Sequence, residues 1–147
     1  CRSIMAEAIF NHYAKGRGVV ACSAGSNPMG KVHPVSLTTL ERHNIASAGY
    51  RSKSWNEFEG KNIDIVITVC DNAAGEICPI FFGSPIKVHW GVPDPAKFNG
   101  TQVEIENEFE RVFSMLEKRV EEFFSLPIDK LDKDEFQQKL EEIGRLL

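Results

Sequence analysis

The run Ile63-Asp64-Ile65-Val66-Ile67-Thr68-Val69-Cys70-Asp71-Asn72-Ala73-Ala74-Gly75-Glu76-Ile77-Cys78 constrains the fold more than any other part of the chain. Its opening is rich in β-branched residues and too apolar on both faces for a half-exposed strand, so residues 63 to 69 read as an interior strand of a parallel sheet. Cys70 then stands where that strand ends. In open α/β sheets ligands bind in the crevice beyond the carboxyl ends of the strands, which puts this thiol beside chemistry rather than in the core. Cys78 follows across a small, polar, Gly-containing segment able to fold as a short helix or a loop. Two thiols separated by a refoldable segment suggest a disulfide that forms during turnover. Two other readings stay open on residue chemistry alone. Buried cysteines behave as small hydrophobes, although Asp71, Asn72 and Glu76 argue against deep burial here. Zinc is the other, and the spacing is wider than the C-x2-4-C knuckle of structural zinc sites.

A length of 147 residues predicts one domain, 1–147, with a core that needs no disulfide staples. No apolar run approaches the roughly 20 residues of a membrane helix. A formal charge of -4 and a pI near 5.6 disfavour nucleic acid as a partner. Four cysteines without a regular framework, and no secretory leader, predict a reducing compartment, hence a cytoplasmic protein.

The chain opens on Cys1-Arg2-Ser3 and passes at once into Ile4/Met5, Ala8/Ile9 and Tyr13, apolar residues at helical spacing. Arg2 and Ser3 therefore stand at a helix N-terminus, where unpaired N–H groups and the positive end of the dipole favour an oxyanion. Ser3 as a plain N-cap and Arg2 as a surface charge is the simpler alternative. Val19 to Gly25 reads as a short strand with Cys22 in its core face, and His33-Pro34 opens a second helix with Leu37 and Leu40 as its apolar face and Asn44 as a left-handed cap. Residues 54–58 read as a helical turn carrying Trp55 and Phe58, and residues 85–90 as a further strand. Strands alternating with helices make an α/β fold.

Asp94 lies just past that strand between Pro93 and Pro95, which fix its backbone and hold its carboxyl on a stiff loop. A proton donor needs such rigidity, and an ordinary turn residue has the same flanks. Thr101-Gln102-Val103-Glu104 is a capping box, followed by an apolar stripe of Ile105, Phe109, Val112/Phe113, Leu116, Val120 and Phe123/Phe124. Leu126-Pro127 ends this helix. A helical extension over about 126–147 carries Phe136, Leu140, Ile143 and Leu147 behind an Asp132 cap, with nothing chemical in its sequence.

Taken in order, Cys1-Arg2-Ser3-Ile4-Met5-Ala6-Glu7-Ala8, Ser23-Ala24-Gly25, Val32-His33-Pro34, Thr68-Val69-Cys70-Asp71, Cys78-Pro79 and Trp90-Gly91-Val92-Pro93-Asp94-Pro95 resemble the arsenate reductases of the low-molecular-weight protein tyrosine phosphatase family. The likeness runs from Cys1 to about Glu121. It implies a three-layer α/β/α fold on a small parallel sheet, four-stranded in the family, whose first strand ends in a C-x5-R oxyanion loop. Cys1-Arg2 matches the last two positions of that loop. The nucleophilic Cys and the first strand are therefore expected upstream of Cys1, and the chain as written is expected not to turn over arsenate.

The resemblance also implies roles. The upstream thiolate attacks arsenate while the loop amides and Arg2 bind its oxygens, and Ser3 supports the thiolate. Asp94 protonates the departing oxygen. Cys70 attacks the covalent adduct and releases arsenite, and Cys78 completes a disulfide relay reduced by an external dithiol, thioredoxin or glutaredoxin with glutathione. No bound cofactor, metal or membrane is implied. A tyrosine phosphatase on the same scaffold would share Arg2, Ser3 and Asp94. It would have no use for Cys70 and Cys78, and the aromatic residue that lines the aryl slot of phosphatases after the Asp-Pro pair is Ala96 here. A non-catalytic remnant that binds oxyanions or a partner is the third reading.

Overall fold

A computed structural model describes residues 2–14, 19–23, 34–45, 63–69, 86–93, 95–127 and 130–145, the side chains of Ser3 and Ala96 excepted. Helix α1 spans Arg2–Tyr13 and α2 Pro34–Arg42; strands β1 (Ile65–Thr68) and β2 (Ile86–His89) follow, then a 3-10 turn at Pro95–Lys97, and helices α3 (Gln102–Ser125) and α4 (Lys133–Gly144). The expected helical turn at 54–58 lies outside the described residues.

The two strands run parallel in the register Ile65↔Ile86, Val66↔Lys87, Ile67↔Val88 and Thr68↔His89. In β2, Ile86 and Val88 are buried while Lys87 and His89 are exposed, the period of a strand with one wet face. Among the described residues β1 pairs with β2 alone, and its four residues are half-buried rather than enclosed.

The helix ends follow from local chemistry. Pro34 is the first residue of α2, where a missing N–H costs nothing. Asn44 adopts φ 59 at the other end, and Asn44 N and Ile45 N return to Glu41 O and Leu40 O at 3.0 Å each, closing the helix with a left-handed cap. The buried face of α2 is Ser36, Thr39 and Leu40, with Leu37 only half-buried. That face is more polar than expected. Thr39 meets its own need locally by donating to Val35 O at 2.7 Å. In α3 the capping box is complete: Thr101 Oγ1 accepts from Glu104 N at 3.2 Å and Glu104 Oε1 from Thr101 N at 3.1 Å. Its apolar stripe, Phe109, Val112, Phe113, Leu116, Val120 and Phe123, is buried. In α4 the Asp132 carboxylate caps Glu135 N at 2.8 Å.

These elements close on one core. Helix α1 packs against α2 and α3, and α4 packs against β2. Trp90, 1% exposed, sits at the junction of sheet and helices. Its ring lies 5.9 Å from Phe10, which meets Phe123 edge-on at 5.3 Å, and its indole N–H donates to Leu140 O at 2.9 Å. The approach of α4 depends on Gly144, where a Cβ would lie 2.7 Å from His89 O and 2.9 Å from Trp90 Cδ1.

Residues 19–23 depart from expectation. They join no strand among the described residues. Asn11 of α1 instead takes both backbone groups of Ala21, accepting from its N–H at 2.9 Å and donating to its carbonyl at 3.0 Å. The side-chain amide thus does the work of a neighbouring strand. Cys22 is exposed, not in the core; Ser23 is the buried residue of this segment. Ser23 turns inward because its hydroxyl donates to the buried Glu7 carboxylate at 2.8 Å, and alternation then sends Cys22 out.

Candidate active site

Arg2 lies in the first turn of α1, where helix N–H groups have no intrahelical acceptor. Its Nη1 donates to the Val92 carbonyl at 3.0 Å, across 90 residues of chain. A guanidinium carries five donors in a planar fork, and this bond fixes the plane in which the fork lies. Ser3 is the next residue of the same turn.

The segment that Arg2 meets is tightly held. Trp90 N donates to Thr68 O at 2.7 Å and Val92 N to Val69 O at 3.1 Å, so hydrogen bonding continues past the end of β2. From the helical side, Arg119 of α3 places Nη1 2.9 Å from Trp90 O and 3.1 Å from Gly91 O. Arg119 is 2% exposed, and its burial lowers its pKa from the ordinary arginine value. It stays charged at physiological pH all the same. Beside them Thr68 Oγ1 and His89 Nδ1 are 2.7 Å apart at the carboxyl ends of the two strands.

The sheet end that precedes Cys70, the segment that precedes Asp94 and the N-terminus of α1 are therefore joined by direct hydrogen bonds. Cys70, Cys78 and Asp94, like the Ser3 side chain, lie outside the described residues. Two contributors escaped the sequence reading. Arg119 falls three residues after Leu116 and four before Phe123, so the helical period puts it on the buried stripe, where a charge signals a partner. Glu7 is buried on α1 and accepts from the Ser23 hydroxyl, and nothing local in the sequence pairs the two. Among the described residues no group of three or more His, Cys, Asp or Glu side chains forms a metal site, and no helix is long and apolar enough to cross a membrane.

Residues 1–139 match the family described as low molecular weight phosphotyrosine protein phosphatase. The chain belongs to that family. Curated relatives named arsenate reductase include one from Halalkalibacterium halodurans, 33% identical over 123 residues covering 84% of this chain and 86% of the relative. Another, from Bacillus subtilis, is 32% identical over 123 residues with the same two coverages. A solved structure titled an arsenate reductase in reduced state superposes with TM-score 0.67 at 25% identity, covering 85% of this chain and 88% of that one. A second, an arsenate reductase in the phosphate binding state, has TM-score 0.64 at 27% identity. The α/β scaffold of the phosphatase family expected from the sequence is thus the scaffold of this chain.

Proposed function

We propose that this protein reduces arsenate to arsenite through a cysteine thiol/disulfide relay, a detoxifying reaction carried out in the cytoplasm. The observation that carries the reading is the Arg2 to Val92 hydrogen bond, which ties an oxyanion-binding helix terminus to the segment entering Asp94. The relatives support the same chemistry, since those that span 84% of the chain at 31–33% identity are named arsenate reductases. The phosphate-bound neighbour supports an oxyanion, the shape shared by arsenate, as ligand.

The steps follow from the residues. The helix N-terminus, the loop amides and the Arg2 guanidinium hold the arsenate oxygens, a planar fork matching two of them at once. The same positive field lowers the pKa of a thiol on the C-x5-R loop, with Ser3 supporting the thiolate. That thiolate displaces an arsenate oxygen, which Asp94 protonates as it leaves. Cys70 then attacks the sulfur of the adduct. Two thiolates become one disulfide, and their two electrons take As(V) to As(III), released as arsenite. Cys78 attacks Cys70, frees the nucleophile and leaves a Cys70–Cys78 disulfide for an external dithiol to reduce. Thioredoxin fits that last role, and glutaredoxin with glutathione is the other source of the same electrons.

The test is arsenite release in the presence of thioredoxin and its reductase by protein carrying the complete C-x5-R loop. Arsenate-dependent consumption of reductant, with one arsenite per reductant oxidised, is expected. Hydrolysis of an aryl phosphate with no arsenite formed would make the protein a phosphatase instead.

A further inference from the structure

We propose that Arg119 is a positioning residue for Asp94, holding the backbone that delivers the general acid to the bound oxyanion. The inference rests on the reading of Asp94 as that acid.

The backbone groups from 90 to 92 are pinned from three directions. Thr68 O at the end of β1 and Val69 O just beyond it accept from Trp90 N and Val92 N, Arg2 takes Val92 O, and Arg119 takes Trp90 O and Gly91 O. Trp90 is pinned by its side chain as well, through the Leu140 carbonyl. Past Val92 little freedom remains. Pro93 has its φ fixed by the ring and restricts the ψ of Val92, so one soft dihedral, the ψ of Pro93, separates the pinned segment from Asp94. The backbone that leads into Asp94 is therefore held, as far as Val92, by contacts that include the two carbonyls Arg119 takes.

Packing alone does not account for this arginine. It occupies the buried stripe of α3, where an apolar residue of similar volume is often as stable or more so than a buried charge. At this place one guanidinium nitrogen donates to two successive carbonyls, at 2.9 and 3.1 Å, in directions that its planar fork fixes and a freely rotating ammonium would not. Both acceptors belong to the loop, which these bonds tie to α3. A displacement of about 1 Å at a reacting group costs on the order of 10²-fold in rate, so modest slack at Gly91 is enough to matter.

The experiment is a double-mutant cycle in protein with the complete C-x5-R loop, read as the single-turnover rate of arsenate reduction. Arg119→Lys and Arg119→Gln are each made alone and in the Asp94→Asn background. Each Arg119 change should slow the Asp94 enzyme by ~10-fold or more and the Asp94→Asn enzyme by less than about twofold, because a misplaced acid costs nothing once the acid is gone. Hydrogen exchange should quicken at Gly91 and Val92 in Arg119→Lys while α3 keeps its protection. Equal slowing in both backgrounds overturns the proposal and leaves Asp94 as the acid. Parental rates for Arg119→Lys and Arg119→Gln overturn it as well, and a variant that loses protection throughout α3 makes Arg119 a packing residue. If Asp94→Asn alone runs at the parental rate, the reading of Asp94 falls and takes this proposal with it.

Discussion

Arg2 and Val92 meet through a single hydrogen bond of 3.0 Å between a guanidinium and a backbone carbonyl, and that bond joins the two ends of the proposed chemistry. One end is a helix N-terminus suited to an oxyanion, the other a stiff segment two residues before Asp94. Arg2→Lys should therefore do two things at once. It should weaken arsenate binding by roughly 10- to 100-fold, the worth of a charge-assisted hydrogen bond, because an ammonium cannot present a planar fork. It should also quicken hydrogen exchange at the amides beside Val92. Unchanged KM and unchanged exchange would remove Arg2 from both roles.

Asp94→Asn should slow single-turnover arsenate reduction by ~10²-fold while leaving the melting temperature in place, as expected when a proton donor is lost and its backbone is kept. A collapsed melting temperature would instead make Asp94 a structural turn residue. Parental kinetics would exclude it from the mechanism.

How much of this was legible beforehand varies with the range of the interaction. Short-range signals were reliable: the capping box at Thr101, the Asn44 left-handed cap, the Asp132 cap and the α3 stripe stand where the sequence puts them. Cys22 was misplaced for a long-range reason. Which face of residues 19–23 turns inward is decided by Glu7 and Asn11 on α1, through Ser23 and the Ala21 backbone, and a period-2 pattern cannot tell the two faces apart without knowing that partner. Arg119 stands on the same buried stripe, but a hydrophobic period is defined by its apolar members and does not mark the one charge among them. Cys70, Cys78 and Asp94 stand out by their places at strand ends and between prolines, and the family resemblance adds their specific roles.

The fit of α4 on the sheet end gives a stability prediction. Gly144→Ala should destabilise the protein by about 1–3 kcal/mol, although alanine is the better helix former, because its methyl would lie 2.7 Å from the His89 carbonyl. Thermal melting measures it. A raised melting temperature would mean that α4 can shift without loss.

Acid should act on the α3 cap in a defined direction. Glu104 accepts from the Thr101 backbone N–H, which lowers its pKa below the ordinary glutamate value. A depressed carboxylate stabilises the fold above its unfolded pKa and loses that contribution as pH falls through the folded value. Glu104→Ala should therefore melt below the parent at neutral pH, and the gap should narrow as pH drops below the ordinary carboxylate range. A gap that is constant from pH 7 to about pH 3 would show that the carboxylate charge contributes nothing to the cap.

The relay is tested most directly by counting arsenite per enzyme after one turnover without reductant, alongside peptide mapping of the disulfides, in protein with the complete C-x5-R loop. Cys70→Ser should stall at the arsenate adduct and release no arsenite. Cys78→Ser should release one arsenite and stop with the nucleophile bonded to Cys70, and the parent should release one and end with Cys70 joined to Cys78. With thioredoxin supplied, only the parent should cycle. If both serine variants reduce arsenate at the parental rate, the relay is wrong, and if even the parent forms no arsenite while it hydrolyses an aryl phosphate, the protein is a phosphatase of the same family.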